Sequence, residues 1–228
     1  MKIIGHRGAA GLALENTQAS ILAARAAGVD AIEIDVRLTS DQKLVVCHDA
    51  SLRRMSDNKA SISDETLADL RAITLHNGEQ LLTLQQALSA SADTPLLIEA
   101  KGSGWATALA RVVKTLEPEK VAVIARDQNE LHAFHELAPK FSTYLVQRFN
   151  PIDVLQALED ARRHGFTGVD LNFWLLNPVT YLLARRYGLE IIVYTVNFVW
   201  IARFLARFFP DISITTNHPH RMQFLRSQ

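Results

Sequence analysis

The chain has 228 residues, 48% of them apolar, and 24 lysines plus arginines against 24 aspartates plus glutamates. That balance leaves no basic field for nucleic acid and no polybasic tract for an anionic membrane, so the expected partner is a small molecule. The single cysteine, Cys47, excludes an intramolecular disulfide, and no uninterrupted apolar run of about 18 residues is present to form a transmembrane helix. In chain order, Lys2–Gly5 reads as a short apolar strand, too brief for a signal peptide, and a cytoplasmic location is expected. His6-Arg7-Gly8 stops it, and a loop rich in glycine and alanine leads to Glu15-Asn16-Thr17, where Asn16 or Thr17 can cap a helix that ends at Gly28. The next strand is Ala31–Leu38. The pattern of helix, glycine and strand then recurs: Asn150-Pro151 opens a helix ending near Gly165, and Asn177-Pro178 opens one ending near Gly188.

Apolar strands that precede helices are Lys2–Gly5, Ala31–Leu38, Leu96–Lys101, Val121–Ala125, Thr143–Gln147, Gly168–Asn172, Glu190–Thr195 and Ile212–Thr216, eight in all. Eight such strands predict an α/β fold, a single closed (β/α)8 TIM barrel, in one domain over residues 1–228. An open doubly wound sheet is disfavoured, because Gly8-Ala9-Ala10-Gly11 lacks the spacing of a dinucleotide-binding turn. Residues 50–94 exceed what a barrel connection needs and read as a small insertion over the mouth, between the second and third barrel strands, with helical patterns near 64–70 and 83–90.

The stretch Ala31–Asp49, AIEIDVRLTSDQKLVVCHD, reads as a hairpin. Strand alternation sends Glu33, Asp35 and Arg37 to one face and Ile32, Ile34 and Val36 to the other. A turn centred between Asp41 and Gln42 would set Asp35 directly across from His48. Glu99 and Lys101, two apart on the third strand, likewise share a face. In a barrel these strand ends converge on one mouth with His6 and Arg7. Carboxylates a few ångströms apart repel by about 4 kcal/mol at an effective dielectric near 20, so a cation between them is the simplest arrangement. Oxygen ligands favour one hard divalent ion, Mg2+ or Ca2+, over zinc. The competing reading is that the acids only form salt bridges with Arg7, Arg37 and Lys101. Arg7 and Lys101 suit an anionic substrate such as a phosphate ester, and the two histidines can share proton donation and acceptance.

His6-Arg7-Gly8, Glu15-Asn16-Thr17, Glu33-Ile34-Asp35-Val36, His48-Asp49, Ile98-Glu99-Ala100-Lys101 and Tyr194-Thr195-Val196-Asn197 resemble, in order and spacing, the motifs of the glycerophosphodiester phosphodiesterases. The resemblance is specific over residues 2–50 and 95–101 and thinner from 190 to 219. It implies metal binding by Glu33, Asp35 and Glu99, acid/base roles for His6 and His48, and phosphate contacts from Arg7 and Lys101. The activity it implies is metal-dependent hydrolysis of glycerophosphodiesters to glycerol 3-phosphate and an alcohol through a cyclic phosphate. A lysophospholipase D acting on lysophospholipids, or a non-catalytic barrel that binds phosphodiesters, are the rival readings. Gln42 stands where the family has glycine, Tyr194 replaces a tryptophan, and Ala125-Arg126 replaces Ser-Phe, so Arg126 points to a more polar or anionic leaving group.

Asn197–Phe209, NFVWIARFLARFF, is an apolar helix pattern carrying Arg203 and Arg207. It reads either as a helix covering the barrel or as a homodimer or lipid contact through 197–209.

Overall fold

Strands with apolar side chains at nearly every position need cover on both faces, and the chain supplies it by closing the strands on themselves and ringing them with helices. The computed structural model describes residues 1–147, 150 and 153–226. Its elements run β1 (Lys2–Gly5), α1 (Gln18–Ala26), β2 (Ala31–Leu38), β3 (Leu44–Val46), α2 (Leu67–Arg71), α3 (Leu84–Ser91), β4 (Leu96–Ala100), α4 (Trp105–Val113), β5 (Val121–Ala125), α5 (Gln128–Leu137), β6 (Ser142–Gln147), α6 (Val154–Arg163), β7 (Gly168–Asn172), α7 (Pro178–Arg186), β8 (Glu190–Tyr194), α8 (Val199–Phe208) and β9 (Ser213–Thr216). β1 pairs in parallel with β2 on one side, Ile4 beside Ala31, and with β9 on the other, Lys2 beside Ser213, which closes a (β/α)8 barrel.

Two apolar layers follow from strand alternation. Ile32, Ile34 and Val36 of β2, with Ile98, Val123, Val169, Val193 and Ile214, face outward into the layer shared with the helices. Ile4, Leu97, Ile124, Tyr144, Val146 and Ile192 fill the barrel interior. The inward positions nearer the C-terminal strand ends are polar instead. A third cluster, Val45, Cys47, Leu52, Met55, Ile62, Leu70, Leu75 and Leu81, holds together the segment that follows β3. α3 lies outside that cluster, and its Leu84 and Ala87 pack into the main core.

The helix starts obey local chemistry. Thr17 caps α1 in a reciprocal arrangement with Ser20, and Asn177 caps α7 with Pro178 at its first position. Gly28, Gly165 and Gly188 follow their helices at φ of 69°, 70° and 70°, the left-handed geometry that glycine adopts without strain. Pro151, read as part of the α6 opening, lies outside the described residues.

The β2–β3 hairpin corrects one expectation. Val36 pairs with Val46, Arg37 with Val45 and Leu38 with Leu44, so Cys47 stands opposite Asp35, one residue from the predicted Asp35–His48 pairing. The Cys47 amide donates to the Asp35 carbonyl at 3.0 Å. The cause is loop length. Thr39 N–H donates to the Lys43 carbonyl at 2.9 Å, closing a three-residue loop in which Gln42 adopts φ of 60°. Beyond the ladder the chain turns, and the Arg37 guanidinium holds the His48 carbonyl at 3.0 and 2.9 Å.

Among the described residues, no helix is long and apolar enough to cross a membrane. On α8 the outward stripe is Trp200, Arg203, Phe204, Arg207 and Phe208, while Ile201, Ala202 and Leu205 are buried against the barrel.

Candidate active site

The polar strand ends meet in a cavity of about 130 Å3 lined by His6, Arg7, Glu33, His48, Glu99, Ile124, Arg126, Asp170, Tyr194, Thr195 and Thr215. Asp35 and Lys101 adjoin its wall through ion pairs. The lysine ammonium lies 3.0 Å from Asp35 Oδ1 and 2.5 Å from Glu99 Oε1. All seven residues singled out from the sequence therefore come together at one end of the barrel.

Strand alternation explains the acids. β2 and β4 lie in register with Asp35 beside Glu99, and both strands turn these side chains inward while their isoleucines face the helices. One oxygen from each of Glu33, Asp35 and Glu99 lies within 4.8 Å of the others, and all three residues are buried. Glu33 Oε1, Asp35 Oδ1 and Glu99 Oε1 accept no hydrogen bond, although the Lys101 ammonium sits near two of them. A hard cation with oxygen ligands at 2.0 to 2.6 Å needs donor oxygens at most about 5 Å apart, which this set meets. The donors thus fit Mg2+ or Ca2+. Burial first, then the charges of Asp35 and Glu99, push the Glu33 carboxyl well above the usual range. Burial also opposes ionisation of Asp35, but Lys101 and then Arg7 outweigh it and lower its pKa.

The loop after β1 shapes the other side. Arg7, at φ of 52°, donates its amide to Glu33 Oε2 at 2.7 Å and its guanidinium to Glu15 Oε1 at 2.8 Å. Its Nε lies 3.4 Å from Asp35 Oδ2. Gly8, at φ of 82°, packs so tightly on Ser20 of α1 that a side chain there has no room. His6 Nδ1 meets Asn217 Oδ1 at 2.6 Å, and Nε2 lies 3.9 Å from Glu33 Oε2. With a carbonyl-type acceptor on Nδ1, the neutral ring carries its proton there and leaves the Nε2 lone pair free. Burial, and then the Arg7 charge, lower the His6 pKa to about 4. His48 Nδ1 lies 2.7 Å from Asp49 Oδ1. Burial works against the Asp49 charge, but hydrogen bonds from Arg54 and then His48 prevail and hold its carboxyl at about 2.

Several polar residues at this mouth take roles that the motifs do not assign. Asn16 caps no helix; its side chain accepts from the Asp35 amide at 3.1 Å and donates to Asp35 Oδ2 at 2.8 Å. Arg54 bridges Asp49 and Glu15, each at 2.7 Å, and so links the His48 and Arg7 sides. Asn217 contacts His6 across 211 positions of sequence. Asp170, at 4% exposure, leaves Oδ1 unpartnered inside the cavity. Asn16 lies inside a motif and Asn217 directly follows a strand end, which are the available sequence signals. Asp170 has only its inward parity on β7.

A model of the glycerophosphoryl diester phosphodiesterase family matches residues 6–220. The Bacillus subtilis protein YhdW is 30% identical over 210 residues, covering 86% of this chain and 86% of its own. The glycerophosphodiester phosphodiesterase of the same organism is 26% identical over 223 residues, covering 85% of this chain and 76% of its own. Among solved structures, an Oleispira antarctica phosphodiesterase in complex with the product sn-glycerol-3-phosphate is similar at a TM-score of 0.90 and 22% identity, covering 100% of this chain and 97% of that one.

Proposed function

This chain belongs to the glycerophosphoryl diester phosphodiesterase family and is a phosphoric diester hydrolase; from that premise we propose that it hydrolyses glycerophosphodiesters to glycerol 3-phosphate and an alcohol, with a divalent cation held by Glu33, Asp35 and Glu99. The carrying observation is the buried trio Glu33, Asp35 and Glu99, each with an oxygen within 4.8 Å of the others, beside two imidazoles in one cavity. When bound, the cation would neutralise charge on the phosphoryl group and make a nearby hydroxyl more acidic.

The chain's own residues divide the remaining work. Arg7 and Lys101 hold the phosphoryl oxygens with charge-assisted hydrogen bonds. His6, neutral and with Nε2 open, takes the proton from the glycerol hydroxyl next to the phosphoester as that oxygen attacks phosphorus. His48, oriented by Asp49, gives a proton to the departing alcohol oxygen as the P–O bond breaks. A cyclic glycerol phosphate results. Water then opens it with the two imidazoles in reversed roles, leaving glycerol 3-phosphate. Asn16, Glu15 and Arg54 hold Asp35, Arg7 and Asp49 in position.

A single barrel domain over 1–228, with 50–94 as an insertion over the mouth, and a cytoplasmic setting complete this reading. The test is release of glycerol 3-phosphate from glycerophosphocholine, glycerophosphoethanolamine and glycerophosphoglycerol, with and without a chelator. Release that persists in full after chelation and dialysis refutes the metal assignment. A lysophospholipase D reading draws support from the aromatic stripe of α8, with Trp200 at 66% and Phe208 at 58% exposure, as a lipid-contacting face. Assay of lysophosphatidylcholine against glycerophosphocholine separates the two substrates, and light scattering after size exclusion reports whether 197–209 pairs two copies instead.

A further inference from the structure

Arg126 follows β5 at the barrel mouth, and its side chain is 36% exposed. Its Nε lies 3.7 Å from Glu99 Oε1, beyond hydrogen-bond length, and it shares the cavity wall with Tyr194. The residue walls two spaces at once. One is the cavity that holds His6 and His48; the other is a neighbouring cleft of about 230 Å3 lined by Arg37, Lys101, Gly102 and Arg126 along with Glu99 and Asp127.

The open charge of that cleft is positive. Asp127 is committed to the start of α5, where it accepts from the Asn129 and Glu130 amides at 3.0 and 3.1 Å. Glu99 lies 2.5 Å from the Lys101 ammonium and belongs to the carboxylate trio proposed to hold the cation, so it adds no open negative charge to the cleft. Arg37 gives Nε and Nη2 to the His48 carbonyl, a neutral partner that leaves its charge uncancelled. Gly102 adds no side chain, and the cleft stays open beside Arg37 Nη1.

The two ends of a glycerophosphodiester bound at its phosphate must leave in different directions. The attacking glycerol has to lie near His6, on the β1 side. The departing alcohol has to lie near His48, and Arg37, a wall of the cleft, is bonded to the backbone of His48 itself. We propose that this cleft is the leaving-group subsite and that Arg126, with Arg37, selects glycerophosphodiesters whose departing alcohol carries a second anionic group, a carboxylate or a phosphate ester. The assignment rests on the phosphodiesterase reading above. It adds no chemical step: the same P–O bond breaks, and the alcohol oxygen takes the same proton from His48.

The experiment compares kcat/KM of the full chain, supplied with Mg2+ or Ca2+, on four substrates. Glycerophosphocholine has a cationic alcohol, glycerophosphoglycerol a neutral one, glycerophosphoserine a carboxylate, and bis(glycerophospho)glycerol a second phosphodiester. One or both of the last two should exceed glycerophosphoglycerol by about tenfold to a hundredfold, the usual scale of one charge-assisted hydrogen bond. Which of them gains identifies the anion. That preference should shrink as KCl is raised from 20 to 300 mM, and Arg126→Gln should collapse the ratio while Arg126→Lys retains most of it. An equal kcat/KM for neutral and anionic alcohols in the unaltered enzyme overturns the proposal without any variant. So does an Arg126→Gln effect that is the same on all four substrates, which makes Arg126 a phosphate contact. Absence of glycerol 3-phosphate from every substrate, with the fold intact by circular dichroism, is a different failure, because it overturns the reaction itself.

Discussion

Glu33→Gln should stabilise the ion-free protein while abolishing its response to divalent cations. Glu33, Asp35 and Glu99 offer oxygens within 4.8 Å of one another, and a pair of charges at that distance repels by about 3.5 kcal/mol at an effective dielectric near 20. Glu33 faces two such partners. The Arg7 amide at 2.7 Å returns part of that energy, so about 1 to 3 kcal/mol of net relief on removing the charge is a reasonable scale. For a chain of this size that raises Tm by roughly 2 to 4 °C per kcal/mol. Thermal melts at pH 8 in EDTA should show the gain, and added Mg2+ or Ca2+ should then raise Tm of the unaltered chain but not of the variant. The sign with pH follows from the raised Glu33 pKa, caused by burial first and by Asp35 and Glu99 next. A carboxyl held above its unfolded value favours the folded state most in acid and loses that contribution as pH rises through the folded pKa. The Tm gap between the variant and the unaltered chain in EDTA should therefore widen from pH 5 to pH 8. A variant that melts lower in EDTA and still shifts fully with cation would refute the reasoning.

Three further outcomes are expected. His6→Ala or His48→Ala should lower kcat by about 10² to 10⁴ with Tm nearly unchanged, measured by glycerol 3-phosphate release and thermal melts. Because burial and the Arg7 charge hold His6 near 4, the acid limb of kcat/KM should fall well below the ordinary histidine value, and Asn217→Ala, which frees the ring from its partner, should reduce kcat more than it changes KM; an acid limb at 6.5 or above would remove His6 from the role of base. Burial pushes the Cys47 thiol up to about 12, so a disulfide reagent at pH 8 should label it only at the rate of unfolding.

The barrel was legible because closed parallel strands need apolar residues at nearly every position, a pattern visible in strings such as Val121–Ala125 whatever their partners. The acids were legible because alternation along a single strand fixes which side chains share a face, and this requires no knowledge of neighbours. The hairpin register failed by one residue because it depends on whether Gln42 joins the loop, and a left-handed non-glycine residue leaves no mark in composition. The aromatic stripe of α8 was legible as a helical period, yet which residues point outward was decided only by the strands beneath it.

Local order thus follows from residue types and their spacing: strands, caps, the glycine stops and the inward carboxylates of β2 and β4. Only the closed barrel decides that Asn217 holds the ring of His6, that Arg54 joins Asp49 to Glu15, and that Asp170 is left without a partner among the same side chains. Asn217 and His6 stand 211 positions apart, and Arg54 and Glu15 stand 39 apart in separate connecting segments. Hydrogen bonds and charges act over a few ångströms of space, a distance set by how the strands close and not by position along the chain.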